Sequence, residues 1–352
     1  MKAGREIISL LNELQQQASI KRDYVVPMQR MQMSDSARYF HLMGGDDGQY
    51  TESLDMTQLF HRQLGAALGI PAKYYDKMQA AIPSLLASNV NAWFEAGQTK
   101  HTIRTMDTTA RAFLSDRYRR IDNLEIALTT LPLVSEMQGA RVESCEVTEH
   151  RMYIKVVNSR LTAEVVPGDV VQAGIVISNS EVGLGSVSVM PLVYRLVCAN
   201  GMIVSEYGQR KNHVGRELDE MWEIYSDATM EAEDMAFMMK LADTVRMAID
   251  EARFAMVVDK LRAANDAKIT APLPEIVELT AKTYAMTQGE EDAIFRHLIE
   301  AGNLSLYGLS NAITRTANDA DDYDRATALE AIGGMLVSIP RAQWHHMNEV
   351  AI

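Results

Sequence analysis

Two stretches of the chain set cations beside aromatic rings. In "TARAFLSDRYRRIDN" (Thr109 to Asn123), a strand would place Arg111, Phe113, Ser115 and Arg117 on one face, with Tyr118, Arg119 and Arg120 following. The second, "RLVCANGMIVSEYGQRKNHVGRE", begins at Arg195 as an apolar run. It ends on Tyr207, Arg210, Lys211, His213 and Arg216, fed by Arg195, with Gly208 and Gly215 as breaks, and Asn200-Gly201 and Gly208 would let the backbone approach a strand closely. Between the two, "RMYIKVV" alternates Tyr153 and Lys155 against Met152, Ile154 and Val156. Lys and Arg neutralise phosphates, and rings stack on bases without reading their order. The pattern therefore predicts a surface for single-stranded nucleic acid. The competing reading is a solvated face whose cations pair with Asp116, Asp122, Glu206 and Glu217.

Other chemistries lack their signatures. No Gly-Lys-Ser/Thr phosphate loop, Gly-x-Ser-x-Gly elbow or His-Glu-x-x-His motif occurs. "GLGSVS" (Gly183 to Ser188) has two glycines of a dinucleotide fingerprint but joins strand to strand. "DADDYDRATALE" (Asp319 to Glu330) half-matches a calcium loop, but Asp324 stands where the turn requires Gly, so the run reads as an acidic helix start. No catalytic residue, metal or cofactor is expected. An enzyme with an unrecognised acidic site would betray itself by a strict need for magnesium.

The elements that would position these residues follow from periodicity. Helical spacing covers 5–20, 57–79 (broken at Gly69 and resumed at Pro71), Asn123 to Met137 and Glu217 to Ala264. Val-, Ile-, Thr- and Tyr-rich runs between about 100 and 204 read as strands. Further helices fall at about 275–286, 290–301, 304–316 and 324–337. The expected fold is α+β: a central, mostly antiparallel sheet followed by a long helix, flanked by helical N- and C-terminal regions. The expected boundaries are 1–95 (helical), 96–265 (β-rich core with the long helix) and 266–352 (acidic, helical). The net charge is −13 over 352 residues, and residues 217–352 hold 25 Asp and Glu against 11 Lys and Arg. That excess argues against a protein coated for nucleic acid all over, and leaves room for one cationic groove. Cys145 and Cys198 are too few for a disulfide framework, no apolar run is long enough to span a membrane, and the N-terminus lacks a signal-peptide pattern. A cytoplasmic protein is expected.

Four segments carry a resemblance: "LFHRQLGAALGIPAKYYDKM" (Leu59 to Met78), "AFLSDRYRRIDNLEI" (Ala112 to Ile126), "YRLVCANGMIV" (Tyr194 to Val204) and "LYGLSNAITRTAND…RATALEAIGG" (Leu306 to Gly334). Over about 59–334 the chain resembles a large family of phage- and plasmid-borne proteins known as a domain of unknown function (932). The resemblance implies a mobile-element origin and no established activity. The architecture alone looks like the core of single-strand annealing recombinases of the RecT and Redβ type. The expected function is ATP-independent single-stranded DNA binding and strand annealing by a homo-oligomer, ring or filament, with a host replication or exonuclease partner. The alternative is a mobile-element protein that inhibits a host defence or replication protein through its acidic helices.

Overall fold

The computed structural model describes residues 1–44, 50–204, 209–211 and 227–351. It is a mixed α+β structure built on two six-stranded sheets. Tyr207, His213 and Arg216, together with Gly208 and Gly215, lie outside the described residues. So does the first part of the expected helix from Glu217.

The first sheet takes β1 (Lys21–Pro27), β2 (Met31–Met33), β3 (Tyr39–Met43), β4 (Tyr50–Met56), β5 (Lys100–Met106) and β6 (Thr109–Ser115), in the order β1-β5-β6-β4-β3-β2. The N-terminal region thus carries strands as well as helices, and β5 and β6, from beyond residue 95, complete its sheet. Pro27 is tolerated because β1 is an edge strand, where a missing N–H breaks no ladder. Thr57 ends β4 and caps α2 (Gln58–Ala67) by accepting from the Phe60 N–H at 3.1 Å. With α3 (Ala72–Ala81) and α4 (Pro83–Ala96), α2 buries a core in which Phe40, Phe60, Phe94 and Phe113 pack edge to face. The α2–α3 turn is a packing element, with His61 hydrogen-bonded to the Tyr75 hydroxyl at 2.8 Å inside the core.

The second sheet is antiparallel: β7 (Ala140–Val147), β8 (Met152–Glu164), β9 (Val170–Asn179), β10 (Val187–Arg195) and β11 (Asn200–Ile203), with β12 (Gln209–Lys211) continuing along the β11 side of β10. Its strands read as nearly unbroken apolar runs because both faces are covered. On one face, Ile154, Val156, Ile175 and Ile177 meet α1 (Ile7–Ile20), α5 (Asn123–Glu136) and α6 (Asp227–Ala248). Further along that face, Val171 and Val193 join the core of α7 (Glu251–Asp266), α8 (Leu273–Thr283), α9 (Gln288–Ala301), α10 (Leu306–Thr316), α11 (Tyr323–Val337) and α12 (Arg341–Val350). The expected long helix is two helices. Asp250 accepts from the Arg253 N–H at 2.9 Å and starts α7 afresh, a break made without Gly or Pro. Among the described residues, no helix is long and apolar enough to cross a membrane.

The opposite face is closed by α11. A Cβ on Gly334 would lie 1.9 Å from the Ile203 carbonyl oxygen, so only glycine lets the helix sit this close to β11. Under α11, the Lys155 Nζ meets the Glu330 carboxylate at 2.6 Å and lies 4.5 Å from the Tyr323 ring centre, with both charged side chains fully buried. Burial pushes the Lys155 amine down and the Glu330 carboxyl up, and their mutual attraction opposes both shifts. Lys155 is therefore not a phosphate contact: its strand alternation is real, but the face it lies on is roofed by a helix from the far end of the chain. Tyr153, beside it, packs against Tyr323 and is equally unavailable for stacking on bases. Glu330 is committed to Lys155 and Asp322 caps α11, which removes the calcium-loop reading of Asp319 to Glu330.

Removing one member of this pair strands the other charge in the core. Lys155→Met is expected to destabilise the protein by about 3–5 kcal/mol, with Lys155→Met/Glu330→Leu recovering most of the loss. Urea unfolding of the three proteins checks this.

Candidate nucleic-acid interface

The site is organised around Glu181, in the turn between β9 and β10. Its carboxylate, 1% exposed, takes the Lys21 ammonium from β1, the Arg111 Nη1 from β6 at 3.4 Å and the Asn123 backbone N–H at the start of α5 at 2.7 Å. The Glu181 carbonyl accepts from Arg104 Nη1 at 3.0 Å. Arg104, 4% exposed, also forks onto Asp23 at 2.8 and 3.1 Å and reaches Asp122 at 2.5 Å. This bonding follows from desolvation: a guanidinium this buried is tolerated only when its donors find carboxylates or carbonyls. Burial alone would raise the Asp122 carboxyl, but the Arg104 guanidinium outweighs it and holds the group below its ordinary value.

The linker 116–122 leaves β6 and is fastened to the same turn. The Tyr118 hydroxyl donates to the Ser180 carbonyl at 3.0 Å, and Asn179 Nδ2 donates to the Ile121 carbonyl at 3.0 Å. β12 arrives at this end as well. Arg210 pairs with Ser188 and Lys211 with Val187, just past the turn. The two basic stretches, about ninety residues apart, thus converge on one end of the second sheet.

Within that end the cations divide. Lys21, Arg104 and Arg111 are enclosed in the network. Arg119, 10% exposed, lies 5.1 Å from the Phe237 ring and 4.0 Å from Glu233, tying the linker to α6. Arg120 is 54% exposed, with Asp23 at 3.7 Å. Arg117 is exposed and makes no ion pair among the described residues. Two expected members fall elsewhere. Phe113 is buried in the first core and stacks on His101, so it offers no face to a base. Arg195 ends β10, roughly 26 Å from Val187 at about 3.3 Å per residue. There it bonds Asp169 at 2.6 Å and Cys198 Sγ at 3.3 Å, and Tyr307 donates to the same carboxylate. Asn200 and Gly201, read as an open backbone approach, are packed against Thr314 and Glu330.

Beside the network is a cavity of about 190 Å³ lined by Thr57, Leu59, Met106, Thr109, Arg111, Glu149 and His150. The Ser180 hydroxyl donates to the His150 carbonyl at 2.8 Å, which joins the cavity wall to the turn that holds Tyr118. His150 Nδ1 is buried with no hydrogen-bond partner among the described residues. Leu59 and Met106 supply apolar surface and Thr57, Thr109, Arg111, Glu149 and His150 carry polar groups, a lining that suits a small hydrogen-bonding group. The volume is below the roughly 300 Å³ at which drug-sized pockets begin, which limits the occupant to something like one base. The sequence reading missed Lys21, Asp23, Arg104, Glu181 and His150. Arg104 stands alone among Thr102, Ile103 and Thr105, Glu181 follows the turn-like Ser178-Asn179-Ser180, and their partners are up to 160 residues away.

Residues 111–266 match the family model described as "Domain of unknown function (DUF932)". The match covers 156 of the 352 residues, less than half of the chain. The DUF932 span opens within β6 and closes with α7, so it takes in the linker, the β9–β10 turn and the second sheet. Most of the first sheet, α8–α12, and the resembling segments at 59–78 and 306–334 lie outside it. No curated protein and no solved structure matches the chain.

The Arg104–Asp122 contact carries a pH signature. Its stabilisation is present above the ordinary aspartate value of about 3.9 and is lost as pH falls through the depressed folded value. The stability difference between the parent protein and Asp122→Asn is expected to be largest near neutrality and to shrink on acidification. Urea midpoints across a pH series measure it.

Proposed function

We propose that the protein binds single-stranded nucleic acid across the end of the second sheet formed by the linker 116–122, the β9–β10 turn and β12, and that this holding step serves strand annealing without ATP. The observation that carries the reading is the convergence of the two basic stretches on one turn. Arg117 and Arg120 supply exposed charge on one side, and Arg210 and Lys211 stand at edge-strand positions on the other. Arg111 and His150 line a base-sized cavity between the first sheet and the turn. Lys21, Arg104 and Arg119 act as frame, since their charges are spent inside the protein.

A second reading, a module that binds a basic host protein, draws support from the acidic excess on the C-terminal helices, where Asp259 and Asp319 are largely exposed. Deleting residues 266–352 cannot separate the readings. The cut would strip Glu330 from Lys155 and uncover Val171, Val193 and Met202 of the sheet.

Point substitutions can separate them. Each phosphate neutralised on a single strand contributes about 0.7 to the slope of log affinity against log salt. Arg117→Ala/Arg120→Ala is expected to weaken binding of a labelled oligonucleotide and to flatten that slope by about 1.4, with the far-UV spectrum unchanged. An unchanged slope removes the linker from the interface.

A further inference from the structure

A second cavity, of about 180 Å³, opens among α7, α10, α11 and α12, away from the basic end. Its walls are apolar, formed by Ala264, Leu306, Val337 and the indole of Trp344. Trp344 is 5% exposed and its Nε1 donates to the Lys268 carbonyl at 3.3 Å, so the ring is a fixed wall. The rim has a different character. Lys260, which has a partner of its own, and Arg341 stand on it, and among the described residues no carboxylate lines the cavity, although residues 217–352 hold more than twice as many Asp and Glu as Lys and Arg. Arg341 is exposed and makes no ion pair among the described residues. Ser338, also in the lining, has a buried Oγ with no hydrogen-bond partner among the described residues. A buried hydroxyl without a partner is a cost the fold carries unless something else supplies the bond.

We propose that this cavity binds a small organic carboxylate, its apolar body against Leu306, Val337 and Trp344 and its carboxylate at Arg341 and the Ser338 hydroxyl. A guanidinium fork matches a carboxylate with two parallel bonds. A cavity of about 150 Å³ takes one benzene ring, which sets the size of the body. The site is independent of strand binding, because it lies wholly in the C-terminal helices and α7.

Calorimetry on the full chain tests this with phenylacetate and its neutral isostere phenylacetamide. Phenylacetate is expected to bind at least roughly tenfold more tightly than the amide, the loss that follows from removing a charge-assisted bond. Arg341→Met, an exposed substitution that leaves the core intact, is expected to weaken phenylacetate by roughly tenfold and to leave the amide unchanged. Equal binding of the two compounds, no binding of phenylacetate at millimolar concentration, or an Arg341→Met protein with unaltered phenylacetate affinity each overturns the proposal.

Discussion

The ion network around Glu181 is the interaction on which the basic end depends. One carboxylate, 1% exposed, joins the first sheet through Lys21 and Arg111 to the second through its own turn and the first N–H of α5. Charges this deep are stable only as a set, because removing one leaves its partner desolvated and unpaired. The set includes Arg104, whose guanidinium spends its donors on Asp23, Asp122 and the Glu181 carbonyl. The linker is held against this frame by Tyr118 and Asn179, so the exposure of Arg117 and Arg120 is a consequence of the network beneath them.

A second buried pair, Lys155 with Glu330, does for the C-terminal helices what Glu181 does for the first sheet. It fixes α11 on the second sheet, and Gly334 lets that helix come within contact of β11. The acidic C-terminal region is therefore part of the fold's core and not an appended tail.

Element type was legible in the sequence wherever periodicity ran unbroken. The strand runs between 100 and 195 and the helices α1, α5 and α8–α11 stand where their patterns place them. The α2–α3 turn falls at Gly69, which takes a positive φ of 68°. What alternation does not report is what covers a face. Lys155 and Tyr153 alternate as solvent-facing residues do, yet α11 covers them from some 170 residues away. Phe113 lies beside arginines in sequence and among phenylalanines in space. The helix break at Asp250 carried no Gly or Pro, only a capping side chain that also occurs inside helices. The sequence grouped the two basic stretches by residue type, and the linker and β12 reach the same end of the second sheet. The network that sets it could not be read, since its members come from β1, β5, β6, α5 and the β9–β10 turn.

The measurement that bears most directly on the account is photocrosslinking of a bromodeoxyuridine-substituted single-stranded oligonucleotide to the full chain, with the crosslinked peptides mapped by mass spectrometry. The account predicts crosslinks within residues 111–122, at the cavity wall around His150 and in the segment around Arg210 and Lys211. Crosslinks confined to α8–α12, or an oligonucleotide that does not bind at low salt, would contradict it.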